Sequence, residues 1–326
     1  MGTELPRYQE LPIIQGHRAS WGVWPSPDYF GCLNLLTPER ARAAAGLIQR
    51  GATFALNWDM RFPDPPLFGR ARFEHEVTSR PGSTTHDDVL HSWNTQSSSQ
   101  WDGFRHVGNP LAGHYDGVPD EEHSIGHWAK RGLVGRAVLA DVGRWRAAVG
   151  RPIEYDQSDL IMPDDIVETL GAQGTTLETG DVLLLRTGWV GWYEQQPASV
   201  RARLGDREQL RAPGLPHGEA TAEFLWDLHI AAIAADNPAV EVWPIGALLD
   251  ADEVASIRAS QPERMPEIFT HTLYLPMLGL PLGELWTLEA LAADCAADGR
   301  YECFFTSAPI NLPSGVASPP NALAIK

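Results

Sequence analysis

Two runs near the middle of the chain, GRAVLADV and GDVLLLRTGW, are rich in Val and Leu, opened by glycine and too short for buried helices. Apolar stretches of that length suit strands covered on both faces, so both read as central strands. Between them, MPDDIVETLGAQG carries Pro163 and acidic residues at its beginning and predicts a compact helix. Earlier, LTPERARAAAGLIQRG predicts a helix with Thr37 as N-cap, Pro38 at the first helical position and Gly51 as its stop. ATFALNWDM follows with the composition of a strand. HGEATAEFLWDLHIAAIAADNPAVEVWP predicts a helix that gives way to a buried strand ending at Asp236, Asn237 and Pro238. FTHTLYLPMLGLPLGELWTLEAL predicts a strand, a Gly/Pro turn and a short helix, and RYECFFTSAPINLPSG a late strand. Strands and helices alternate, which is the α/β class. No repeat and no low-complexity linker divides the chain, so one domain over residues 1–326 is expected.

One stretch breaks the apolar pattern. NTQSSSQWDGFRH places Gln96, Gln100, Asp102 and His106 on even positions, so an extended chain would point all four to one face. Fully extended, the run spans roughly 33 Å, too far for four groups to meet one small molecule, so the segment has to bend. Gly103 is where the backbone is freest to do so. A strand entering a turn is the functional reading, and a solvated Ser/Gln-rich edge strand is the plain alternative.

Composition narrows the partner. With 42 acidic against 25 basic residues and a net charge of -17, the chain lacks the clustered cations of a nucleic-acid or anionic-membrane surface, so a small molecule is the expected partner. Three cysteines, Cys32, Cys295 and Cys303, include no CxxC pair, which argues against a disulfide framework and a thiolate zinc site and fits a reducing cytoplasm. The N-terminal MGTELPRYQELPIIQGHRASWG has no basic region followed by an apolar one, and no uncharged apolar run is long enough to span a membrane.

Titratable residues gather elsewhere too. THDDVLH, with His86 and His91, reads as a surface loop. His217, where APGLP opens a helix, is either a substrate contact or a solvent-facing imidazole, and His229 reads as structural. Asp236 with Glu241, and His271 with Glu284, are further pairs. Asp102 with a histidine four residues on can form an acid/base unit, a metal site, or both.

QSSSQWDGFRH resembles the metal-binding signature HxGTHxDxPxH of the cyclase family that includes bacterial kynurenine formamidase and isatin hydrolase. On that pattern Gln96 and Gln100 stand at the two histidine positions, Ser99 at the threonine, Asp102 at the aspartate, Phe104 at the proline and His106 at the final histidine. GLVGRAVLADV, LETGDVLLLRTGW, APGLPHGEATAEFLWDLHIAAIAADN and HTLYLPMLGLPLGELWTLEAL resemble further blocks of these proteins in the same order. FGCLNLLTPE is similar to an N-terminal block of the longer bacterial members, which makes residues 1–50 an extension packed on the domain.

The resemblance implies a swivelling β/β/α fold with a mixed sheet and flanking helices, a divalent metal, and a homodimer or homotetramer. It puts metal ligands at Asp102, His271 and Glu284, with Gln100 added, and makes His106 the proton-transfer residue. Gln96, Trp101, Phe104 and His217 are the expected substrate contacts, and Arg186 in RTGW is either structural or part of the pocket wall. Trp21, Trp24 and Trp93 lie in or near the same segments and would favour a flat, aromatic substrate. Amide oxygens in place of imidazoles weaken zinc binding and suit harder ions, so manganese or zinc is expected and magnesium is allowed.

Three functions compete. The first is a metal-dependent hydrolase that cleaves a C–N bond of a small amide, lactam or formamide, with His106 as proton shuttle. The second is a lyase, dehydratase or cyclase in which His106 works with little or no metal, and the third is a non-catalytic small-molecule binder on the same scaffold.

Overall fold

The computed structural model describes residues 5–326; residues 1–4 of the N-terminal stretch read above lie outside it. Thirteen strands run in chain order: β1 (Ile13–Ile14), β2 (His17–Arg18), β3 (Thr53–Ala55), β4 (Glu74–Ser79), β5 (His86–Ser92), β6 (Gln100–Asp102) and β7 (Leu133–Asp141). They continue with β8 (Val182–Arg186), β9 (Ala232–Ala235), β10 (Leu282–Glu284), β11 (Glu302–Ser307), β12 (Ala317–Ser318) and β13 (Ala322–Ile325). Nine form one mixed sheet in the order β12-β6-β10-β9-β8-β7-β11-β13-β3.

The apolar runs explain its middle. β7, β8, β9 and β10 are mutually parallel, and the residues of β8 and β9 are buried except Arg186 at the end of β8. Parallel neighbours need crossovers, and helices such as Pro163–Gln173 and Glu219–Asp227 supply them. Antiparallel strands complete both edges: β6 pairs with β10 on one side, and β11, β13 and β3 extend the other. One buried cluster includes Tyr8 and Leu33 from the first fifty residues together with Ala324 near the end. The early segment is tied down by Ser20 N–H donating to the Met277 carbonyl and Cys32 N–H donating to that of Gly279. Among the described residues, no helix is long and apolar enough to cross a membrane.

Several local expectations need correction. The helix capped by Thr37 spans Pro38–Ala45 and stops at Gly46, well before Gly51. FTHTLYL is no strand: His271–Tyr274 is a helical turn, and the strand of that block is β10. A single buried helical turn has no periodicity by which a run of apolar residues could be told from a strand. THDDVLH is not a loop but β5, paired antiparallel with β4 in an exposed hairpin where His75 meets Asp88 and His91 meets Glu76.

Candidate functional site

The register of β6 against β10 builds the centre. Glu284 lies opposite Gln100 and Leu282 opposite Asp102, so the side chains of Gln100, Asp102 and Glu284 share one face of the pair. On its other side β10 runs close against β9, where a Cβ on Gly283 would sit 2.6 Å from the Ala234 Cβ. His271, on its helical turn, closes the group, and one donor atom each from Asp102, His271 and Glu284 lies within 4.8 Å of the others. All three are buried. His271 and Glu284 line a pocket of about 250 Å³ whose wall also includes His106, Phe68, Trp243, Phe269 and Arg70.

Glu241 aims the imidazole. Its carboxylate accepts from His271 Nδ1, from the backbone N–H of Thr270 (2.7 Å) and of His271 (3.1 Å), and from His217 Nδ1 (2.6 Å). The loop bearing Glu241 is shaped by Asn237, whose side chain accepts from Val240 N–H and donates to the Pro213 carbonyl. Gly214 allows the close pass, since a Cβ there would sit 2.3 Å from the Glu241 carbonyl carbon. With Nδ1 committed to Glu241, His271 directs Nε2 at Glu284 Oε1 (3.1 Å) and Asp102 Oδ2 (4.0 Å). This is the geometry by which a carboxylate behind an imidazole orients it toward a metal.

The charges are strongly coupled. Burial opposes ionisation of Glu241, yet His271 and His217 outweigh it and hold its pKa well below the carboxylate range. Burial likewise opposes the His271 cation, but Glu241 and Glu284 push its pKa up to about 10. Burial and then the Asp102 charge raise that of Glu284. Burial lowers that of His106, outweighing Asp102 and keeping the ring neutral near pH 7.

A cation fits these residues. Asp102 Oδ2 is a buried carboxylate oxygen with no hydrogen-bond partner, a costly state that a positive ion relieves. Two carboxylates and one imidazole make a donor set suited to manganese or zinc. The proton on His271 Nε2 must leave when an ion takes its place, so affinity should rise with pH over the whole range below about 10. Manganese titrations at pH 6, 7 and 8 are expected to tighten by up to about tenfold per pH unit; pH-independent affinity would mean that His271 is not a ligand.

The two glutamines act differently from what the sequence suggests. Gln100 was expected as a metal ligand, but its side-chain oxygen accepts from Arg70 Nη1 (3.3 Å), which turns Nε2 toward Glu284 (2.6 Å) and Asp102 (3.4 Å). It is thus a donor to the carboxylates. Gln96, expected to hold substrate, lies in the loop before β6 and donates to Asp102 Oδ1 (2.7 Å). Its Nε2 also meets His106 Nδ1 at 3.0 Å. The same amide nitrogen lies 3.3 Å from His106 Nε2, so it faces both ring nitrogens, and that Nε2 stands 3.9 Å from Asp102 Oδ2.

Other expected contacts fall away from the pocket. Trp101 alternates to the opposite face of β6, donates to Ser307 Oγ and packs on Trp128 and Trp286. Phe104 packs against Tyr115 and Trp128 in the core. The His217 side chain is fully buried against Glu241 and contacts neither solvent nor the pocket. Trp21 donates to the Pro276 carbonyl, Trp24 packs on Trp226, and neither Trp21, Trp24 nor Trp93 lines the pocket, whose tryptophan is Trp243. Arg186 binds Asp141 and Glu289 away from it. Sequence reasoning missed Arg70 altogether and left Glu241 without a role. A lone arginine in LFGRARF carries no local signal, whereas an acid isolated in the apolar run AVEVWP is one.

Known proteins place this geometry. The family model described as Cyclase matches residues 33–242. The chain belongs to the cyclase family. A crystal structure of a novel cyclase is 30% identical, with a TM-score of 0.75 over 94% of this chain and 99% of that one. The isatin hydrolase A of Labrenzia aggregata, solved with benzyl benzoate, shares 18% identity at a TM-score of 0.54, covering 86% of this chain and 94% of its own. An isatin hydrolase bound to the product analogue thioisatinate shares 15% at 0.56, covering 87% and 94%. At such identities these two share the fold. No curated protein matches the chain. On the signature that QSSSQWDGFRH resembles, this chain keeps Asp102 and His106 and has glutamine at both remaining histidine positions.

Proposed function

We propose that the protein is a metal-dependent hydrolase that cleaves a C–N bond in a small amide, lactam or formamide. The observation that carries this reading is the orphaned oxygen of buried Asp102, whose carboxylate gathers with donor atoms of His271 and Glu284 within 4.8 Å, beside a pocket lined by His271, Glu284 and His106. A divalent ion there, manganese or zinc, would polarise the substrate carbonyl and acidify a water. His106 accepts the proton of the attacking water on its ring, and Gln96, whose amide nitrogen lies 3.0 and 3.3 Å from the two ring nitrogens, gives up a hydrogen bond as the ring becomes charged. Asp102, facing Nε2, steadies the imidazolium, which then protonates the leaving nitrogen. Phe68, Trp243 and Phe269 form an aromatic wall that receives a flat, apolar substrate body.

His106→Ala separates chemistry from binding. It should retain the metal and the fold while hydrolysis of aryl formamides and lactams falls about 100- to 10,000-fold. Undiminished turnover would remove His106 from the mechanism. A second reading rests on the three contacts that Gln96 and Gln100 donate to Asp102 and Glu284, which partly satisfy the carboxylates without an ion. In that case the protein is a lyase or dehydratase using His106 alone, and its activity survives chelation.

A further inference from the structure

The pocket above the cation site adjoins a second, larger cavity of about 780 Å³, and Arg207, Trp243 and Ile245 line both. The inner pocket alone is smaller than the roughly 300 Å³ at which small-molecule sites usually begin. A substrate of ordinary size that passes Trp243 would enter the adjoining cavity. There it meets Arg207, Arg211 and Arg258, against the single acidic side chain of Glu208.

Such a cluster is conspicuous in a chain of net charge -17. Of the other twenty arginines, twelve pair with a carboxylate, as Arg136 does with Asp181 and Glu302 or Arg264 with Glu253 and Glu267, and the remaining unpaired ones do not gather round this cavity. Arg207, Arg211 and Arg258 have no carboxylate partner among the described residues. Two of them are nonetheless held in place. Arg207 lies over the Trp243 ring at 5.6 Å. Arg211 Nη1 donates to the carbonyls of Glu208 (2.9 Å) and Leu210 (2.7 Å), leaving the rest of its guanidinium for another acceptor. Guanidinium groups that are positioned but unpaired favour an oxyanion.

We propose that the substrate carries an anionic tail, a carboxylate or phosphate, which Arg207 and Arg211 hold in the outer cavity while the scissile bond lies at the Asp102, His271 and Glu284 centre. The proposal rests on the hydrolase reading for its reacting end and makes its own demand on the other end. Arg207, at the junction, sets the distance between the two.

Binding tests it without turnover. Calorimetric titration of the metal-loaded protein with 4-phenylbutyrate, with its uncharged analogue 4-phenylbutyramide and with 3-phenylpropyl phosphate compares tails on one aromatic body. The anions are expected to bind about tenfold or more tightly than the amide, and the advantage should shrink as salt is raised. It should disappear in Arg207→Gln/Arg211→Gln and persist in Arg42→Gln/Arg80→Gln, two exposed arginines away from both cavities whose loss matches the change in net charge. A tighter phosphate than carboxylate supports the proposal and assigns the tail. Equal affinities for anion and amide overturn it, as does a preference that survives the double substitution, which would put the anion on the cation site. Metal content measured on the same samples reports separately on the hydrolase reading.

Discussion

Asp102→Asn should abolish metal binding and activity while leaving the metal-free fold at least as stable as wild type. Purified without an affinity metal column, the wild type is expected to hold about one ion per chain and the variant less than about one-tenth of that. Removal of hydrogen-bonding groups behind a metal ligand costs 10- to 100-fold in affinity or activity, and loss of a charged ligand costs more. A fall in kcat/KM of about 1,000-fold or greater is therefore expected, equivalent to roughly 4 kcal/mol. The stability half of the prediction follows from the same atom. Asp102 Oδ2 is buried and unpartnered beside the Glu284 carboxylate, so without an ion the side chain is a repulsive charge whose neutralisation relieves the cluster. An apo variant with an unchanged or raised Tm, no metal and no activity would show that the loss is one of ligation. A variant that keeps metal and turnover would overturn the site.

Glu241→Ala is expected to damage the structure most. Its carboxylate takes four hydrogen bonds, two from histidine side chains and two from the backbone at residues 270 and 271. Removing one side of a buried ion pair leaves the partners charged or unpaired and costs about 3–5 kcal/mol. In a chain of this size that lowers Tm on the order of 10 °C. Glu241→Gln retains the volume and one acceptor but loses the charge that holds His271 in its protonated, oriented state. This milder variant should fold and lose about 10- to 100-fold in manganese affinity. Wild-type affinity in Glu241→Gln would mean that His271 is oriented by packing on Phe269 alone, which stacks on it at 4.6 Å.

These variants share a cause. The centre places Asp102, Glu284 and Glu241 among buried side chains, and His271 and Arg70 supply positive charge against them. Arg70 binds no carboxylate directly. Its guanidinium holds the oxygen of Gln100 and so decides that this amide offers hydrogen rather than a lone pair to the acids. A glutamine at a motif histidine position thus becomes a donor that shapes the carboxylates.

What the sequence determined by itself was the α/β class, the parallel strands and the chemical type of the centre. GRAVLADV and GDVLLLRTGW can be buried on both faces only inside a sheet, and the spacing from Gln100 to Asp102 puts both on one face of any strand. The same alternation sends Trp101 to the core, so its place was readable from position alone. The tertiary structure decided the rest. Asp102 and Glu284 meet through the register of β6 on β10, a pairing across a separation no local pattern spans. Glu241 reaches His271 by a loop whose course depends on Asn237 and Gly214, and Arg70 arrives from an irregular segment without periodicity. A residue's chemistry is local, but its partner, its burial and hence its charge belong to contacts between distant segments, and these exist only once the chain has folded.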